Sequence, residues 1–372
     1  MTHAQGPAPS GFDKTRSTSP IPEAFANLRE RLAGGDLATV TVLGPTSDAS
    51  WRAHPIPATR FLAAVHTSSA VVLPPAHLLR PSGPRQQQAK QFEASHLAVD
   101  LSTLRAATWS PGTAVALADA CTSKGRVHPE SPRHLLERLI ARLEAYGVRV
   151  TVAVETQLRL TGAASPDDSG LDAVLVHLCS LLRHADLPVE SISTAPSLHA
   201  PDRNGQLVTA TFAHRDPLTA CDNHVLHHLA ATIHSEYHGL HTESASTDRL
   251  TLHLTLTAPG QTTNALIDMA HAGLQGEIGN IAANLTGRAP FLTHITEPDE
   301  NARRTTEPAG STVVKINSSA DVITLTFSAA TGVHEATVAA LTGITAGIRH
   351  RHSYAATTAA PLPAQPLRLP GT

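Results

Sequence analysis

ATFAHRDPLTACDNHVLHHLAATIHSEYHGLH, residues 210–241, is the stretch whose reading decides the fold. Its opening residues close an apolar run that begins at Leu207 and reads as a strand to Ala213. Asp216 then stands where a carboxylate can cap a helix, and Pro217 suits the first turn, where its missing N–H would be unbonded in any residue. A helix over 218–238 is therefore predicted. Downstream, residues 250–256 alternate strictly: Leu250, Leu252, Leu254 and Leu256 share one face, and Thr251, His253 and Thr255 the other. Residues 322–327 repeat the device, with Thr324 and Thr326 opposite Ile323, Leu325 and Phe327, and a last helix is predicted over 335–348. Upstream, a helix is predicted over 170–184 and a strand over 149–154. Residues 132–146 form an amphipathic helix with Leu135, Leu136, Leu139, Ile140 and Leu143 on one side, stopped by Gly147. Residues 115–120 are a short apolar strand.

Nearer the start, a short helix over 22–32 is broken by Gly34-Gly35, a strand follows over 38–43, and a strand and helix start lie between 54 and 65. Residues 73–91, rich in proline, read as a loop or linker, with a domain boundary near residue 97. The ends, 1–20 and 355–372, are Pro/Ser/Thr/Ala/Gly-rich without periodicity and are expected to be flexible tails. The class is α+β: an antiparallel sheet with one apolar face against helices and one polar face turned into a cavity.

The chain has 372 residues, 41% hydrophobic and 16% charged, enough for about two domains with real cores. Its 28 basic and 31 acidic side chains leave a formal charge of −3, which provides no footprint for a nucleic acid or an anionic membrane surface. No apolar run is long enough to span a bilayer, and the N-terminus lacks a signal-peptide core, so a cytoplasmic location without a membrane partner is expected. Cys121, Cys179 and Cys221 are odd in number and widely spaced, as suits reduced thiols. Histidine is abundant, at 23 residues. Six lie at His224, His227, His228, His234, His238 and His241. The i,i+4 pairs 224/228 and 234/238 could chelate zinc or nickel on a helix, but no Asp, Glu or Cys stands at ligand spacing, and the plainer reading is a solvated helix face. There is no P-loop, GxGxxG or nucleophile motif.

Four segments resemble, in order, the glutamine synthetase family: TVTVLGPTSDASWRAHPIPATRFLAA (39–64), DLSTLRAATWSPGTAVALADA (100–120), SPRHLLERLIARLEAYGVRVTVAVETQ (131–157) and residues 210–241. The likeness runs over roughly 22–350 and weakens beyond 256. It implies a β-grasp domain over 21–97 and a catalytic domain over 98–354, the latter a half-barrel funnel with helices outside. In that family, ATP-dependent amide formation relies on divalent metals held by glutamates and a histidine. The family's Glu-x-Glu corresponds here to Glu155-Thr156-Gln157. A further glutamate falls at Thr209, or at Val208 if the register slips by one, and another in 193–197, which holds no acid. The metal-binding histidine becomes Thr251, with His253 kept beside it, and the Glu-x-Arg strand becomes Thr324 and Thr326. Glu155 is thus the one retained metal-ligand position.

Glu155 and His253 are accordingly either an acid/base pair or relics of the fold, and Arg303 and Arg304 are the candidates for nucleotide phosphates. Trp51 stands where the family's small domain reaches a neighbouring subunit's site, or is simply packed. The expectation is a glutamine synthetase-like pseudoenzyme acting as an assembly or regulatory subunit, without a cofactor. Retention of Asp48 and Trp51 points to a homo-oligomeric ring or a mixed ring with an active paralogue. Two alternatives stand beside it: an ATP-dependent amide (C–N) ligase of specialised metabolism using Mg and ATP, and a small-molecule sensor.

Overall fold

The structure is a computed structural model that describes residues 23–45, 51–66, 94–122, 126–128, 131–162, 169–187, 189–196, 205–238, 240–243, 250–286, 294–296, 313–318, 322–327 and 332–359. In chain order the described elements are α1 (Glu23–Ala33), β1 (Thr39–Pro45), β2 (Trp51–Pro57), α2 (Ala58–His66), β3 (Ala94–Ala106), β4 (Thr113–Thr122), α3 (Pro132–Ala145), β5 (Arg149–Gly162), α4 (Ser169–His184), β6 (Val189–Pro196), β7 (Gly205–Phe212), α5 (Pro217–Tyr237), β8 (Leu240–Glu243), β9 (Leu250–Thr257), α6 (Thr263–Thr286), β10 (His294–Thr296), β11 (Val313–Ser318), β12 (Ile323–Phe327) and α7 (Val333–Ala359). The α+β class stands. α7 is helical to Ala359, so residues 355–359 are not part of a tail as their composition suggested. Residues 1–22 and 360–372 lie outside the described residues.

Two sheets organise the chain. The first has the order β2-β1-β4-β3, with β1 antiparallel to β2 and parallel to β4. Because β3 and β4 are bonded into this sheet, the change of sheet comes after Thr122; the division expected near 97 passes through β3. The second, eight-stranded sheet runs β10-β11-β12-β9-β5-β7-β6, with β8 paired to the far end of β5. Its pairs are antiparallel apart from β10–β11.

Alternation within β4 lets one strand serve two cores. Ala114, Ala116, Ala118 and Ala120 face α1 and α2, while Val115 and Leu117 join the core of the large sheet. In that larger core, Leu250, Leu252, Leu254 and Leu256 of β9 and Ile323, Leu325 and Phe327 of β12 are buried against the helices, each worth about 1.5–3 kcal/mol of transfer free energy. α3 is stopped as its sequence predicts. Gly147 takes φ +74°, which suits glycine, and the Val148 amide reaches back to the Leu143 carbonyl at 2.9 Å. α6 crosses α7 at backbone contact distance: a Cβ on Gly273 would run into the Gly343 carbonyl, and one on Gly347 into the Met269 carbonyl.

Candidate functional site

With the leucines of β9 turned inward, its remaining side chains must face the other way, and the register brings the expected site residues together there. Thr324 pairs with His253, Thr326 with Thr251, Thr251 with Glu155, and Gln157 with Thr209. The His253 Nδ1 lies 3.3 Å from the Thr324 hydroxyl, and the Thr251 and Thr326 hydroxyls are 3.4 Å apart. Glu155 meets His253 with Oε2 to Nε2 at 3.6 Å, an ion-pair distance just longer than a hydrogen bond, both side chains being a little over a quarter exposed. Val208 is buried with Leu175 on the apolar face, and Thr209 is the residue on the polar one. Ser193 pairs with Thr209, so residues 193–196 of the acid-free segment also border this face. Arg303 and Arg304 fall outside the described residues.

A second polar cluster joins β3 and β4 of the first sheet to the helices α3, α5 and α7. Arg133 of α3 is 1% exposed, and its guanidinium is shared by three carboxylates: Asp222 of α5 through Nε at 2.9 Å and Nη2 at 2.8 Å, Asp119 of β4 through Nη1 at 3.1 Å, and Asp100 of β3 through Nη2 at 2.7 Å. His334 of α7 donates from Nε2 to Asp222 at 2.9 Å. Burial opposes the charge on Arg133, but Asp222, Asp119 and Asp100 more than offset it and hold the guanidinium well above its ordinary pKa. Burial likewise opposes ionisation of Asp222, and Arg133 and His334 outweigh it, so its pKa is lowered. The sequence gives no prominence to Asp222 or to Arg133. Arg133 stands in the Ser-Pro-Arg that opens α3, but its partners are scattered over three other elements. Trp51 packs on His334 of its own chain, ring centroids 5.2 Å apart, so the packed reading is the one its contacts support.

α5 begins as expected, with Asp216 accepting from the Thr219 amide at 3.0 Å. Its histidines, however, do not all lie on a solvated face: His228 and His238 are exposed, but His227 and His234 are buried. His227 is 3% exposed, stacks on Phe212 at 3.9 Å between centroids, and donates from Nε2 to the Leu187 carbonyl at 3.1 Å. Burial pushes its pKa down from 6.5 to about 4. His224 is driven well below its ordinary value by burial and by neighbouring His228, His227 and His334. The sign of the consequence is fixed: the unfolded chain takes up a proton at His227 below pH 6.5, the folded chain not until about 4, so stability falls as pH drops through that window. His227 alone should cost about 2 kcal/mol between pH 7 and pH 5. Urea midpoints should decline progressively over that range, and the decline should be shallower in His227→Gln; a flat profile in the unaltered protein would refute the assignment. Cys121, Cys179 and Cys221 are all free thiols, the first and last buried. Among the described residues, no helix is long and apolar enough to cross a membrane.

No protein-family model matches the chain, and no curated protein sequence does. The fold as a whole has counterparts among glutamine synthetase-like structures. Among these are a GmaS/ADP complex (TM-score 0.62, 17% identity, covering 86% of this chain and 81% of that one) and ligand-free GmaS (0.59, 16%, 87% and 81%). A structure described as a novel glutamine synthase homolog also matches (0.58, 17%, 85% and 83%).

Proposed function

We propose that this chain is a glutamine synthetase-like protein that does not run metal-dependent ligation and serves as an assembly or regulatory subunit. The observation that carries this reading is the donor set on the polar face. Among the described residues at the family-like positions, Glu155 is the one carboxylate, and Gln157, Thr209, Thr251, Thr324 and Thr326 surround it with neutral groups. Magnesium wants near-octahedral oxygen ligation with charge compensation, and phosphoryl transfer from ATP needs that charge on the phosphates. One carboxylate beside an imidazole, with an amide and hydroxyls, does not fit a cluster of such cations. Glu155 and His253 are better suited to holding each other, at 3.6 Å, than to gathering metal.

Assembly is part of the proposal: a ring of this chain alone, or one shared with an active paralogue. The test is a single preparation. Size-exclusion chromatography with light scattering should give a mass above that of one chain, and the collected peak, given ATP, magnesium and a panel of carboxylates and amines, should release ADP at the background rate. Magnesium-dependent ADP release that disappears in Glu155→Gln would overturn the reading in favour of an ATP-dependent amide ligase. That second reading draws on the ADP complex of one structural neighbour. A monomer would defeat the assembly part.

A further inference from the structure

α4 and α5 pack side by side, and three histidines meet at their junction: His177 from α4, His234 from the last turn of α5, and His238 at its C-cap. The sequence offers only the i,i+4 pair on α5. The third member, His177, lies on a different helix and reaches the other two through the packing of the helices. One ring nitrogen from each lies within 4.8 Å of the others. The rings stand edge-on, with centroids 4.6 Å apart for His234 and His238, 5.0 Å for His177 and His234, and 6.3 Å for His177 and His238.

We infer that His177, His234 and His238 form a binding site for a borderline divalent cation, zinc in the first instance. The chemistry of each residue suits a place in such a site. His234 is 3% exposed, and its Nε2 lies 3.2 Å from the Val174 carbonyl. A carbonyl only accepts, so Nε2 carries the hydrogen and Nδ1 keeps its lone pair. A backbone acceptor fixing tautomer and ring orientation in this way is the usual support of a metal-bound imidazole. His177 and His238 are exposed, so their rings are free to swing. Tetrahedral zinc with Zn–N bonds of 2.0–2.1 Å needs nitrogens about 3.3 Å apart, and that inward movement falls to these two rings.

Three imidazoles leave a fourth position at the rim, open to water or to an incoming carboxylate. Among the described residues no carboxylate or thiolate belongs to the group, so the ligand field they provide is all nitrogen, which favours zinc, nickel or cobalt over magnesium or calcium. Without an ion the arrangement gains little. His234 has its pKa lowered, first by burial and then by the proximity of His238 and His177. The site is separate from the polar face of the large sheet, and nothing in its argument depends on whether ligation occurs there. A metal here would cross-link α4 to α5.

The full chain, stripped of metal with a chelator, should be titrated with zinc in competition with a chromophoric indicator and, separately, with cobalt monitored by visible absorption. One high-affinity zinc per chain and the strong d–d absorption of four-coordinate cobalt are expected. Each of His177→Gln and His238→Gln should weaken zinc by about tenfold or more and abolish the cobalt signal. Both positions are exposed, so the variants should fold, as far-UV circular dichroism would verify. His228→Gln, from the other i,i+4 pair, should bind as the unaltered protein does. Unchanged affinity in the His177 and His238 variants, equal loss in the His228 variant, or no high-affinity step at all would overturn the proposal.

Discussion

Arg133→Met should destabilise the protein by about 3–5 kcal/mol, read as a fall in the urea unfolding midpoint. Methionine matches the stem and fills space, so the loss is not one of packing. It comes from leaving Asp100, Asp119 and Asp222 around a site that no longer holds the guanidinium they share. Lysine should rescue poorly, because a single ammonium cannot reproduce the forked contact with Asp222 together with bonds to two further carboxylates. The cost should also shrink as the pH is lowered, since carboxyls without a cation take up protons more readily and then cease to repel. Asp222 in the unaltered protein behaves oppositely: its pKa is lowered, so its contribution is complete above the ordinary carboxylate range and lost only as pH falls through the depressed value. A midpoint shift equivalent to less than about 1 kcal/mol would show that the cluster is dispensable.

Gly347→Val should cost about 3 kcal/mol, against the direction of helix propensity. Glycine inside a helix is unfavourable by about 1 kcal/mol relative to alanine, so a solvent-facing Gly347 would gain from substitution. Here the new Cβ would run into the Met269 carbonyl of α6, and backbone cannot rotate aside as a side chain can. Gly343→Ala should be milder, because the nearest atom there is the Cδ2 of Leu274, at 2.9 Å, which can move. Thermal unfolding of the two variants should rank them in that order; equal effects would mean that the helices can separate cheaply.

These contacts also explain where the sequence was opaque. β9 and β12 were legible because leucine, isoleucine and phenylalanine alternate with threonine and histidine, and that period survives any reading frame error but one. α6 was not foreseen at all. Its sequence, TNALIDMAHAGLQGEIGNIAANLT, carries glycines at 273, 276 and 279 that argue against a helix locally, and their purpose at Gly273 is visible only with α7 in place. β3 was missed because its register breaks between Asp100 and Arg105, where the Asp100 carboxylate turns to Ser102 and Arg133. On the polar face, the residue types at Glu155, Gln157, Thr209, Thr251, His253 and Thr324 were readable, and so was their common side. The meeting of Glu155 with His253 across strands was foreseen as a possibility, and the register gives it a distance. His177 was beyond reach, since only the docking of α4 on α5 makes it a neighbour of His234.

The place of β4 between two cores bears on how the chain matures. During synthesis α1, β1, β2 and α2 emerge well before β4, yet β1 has β4 as its other partner, and the alanines of β4 complete the floor on which α1 and α2 rest. Until residue 122 has been made, the early segment is a two-stranded hairpin with helices, which is marginal in water on its own. The parallel β1–β4 junction joins segments some seventy residues apart, the kind of distant pairing that slows folding. The two halves of the molecule are therefore ordered in sequence but not in assembly: the first cannot finish until the second has begun.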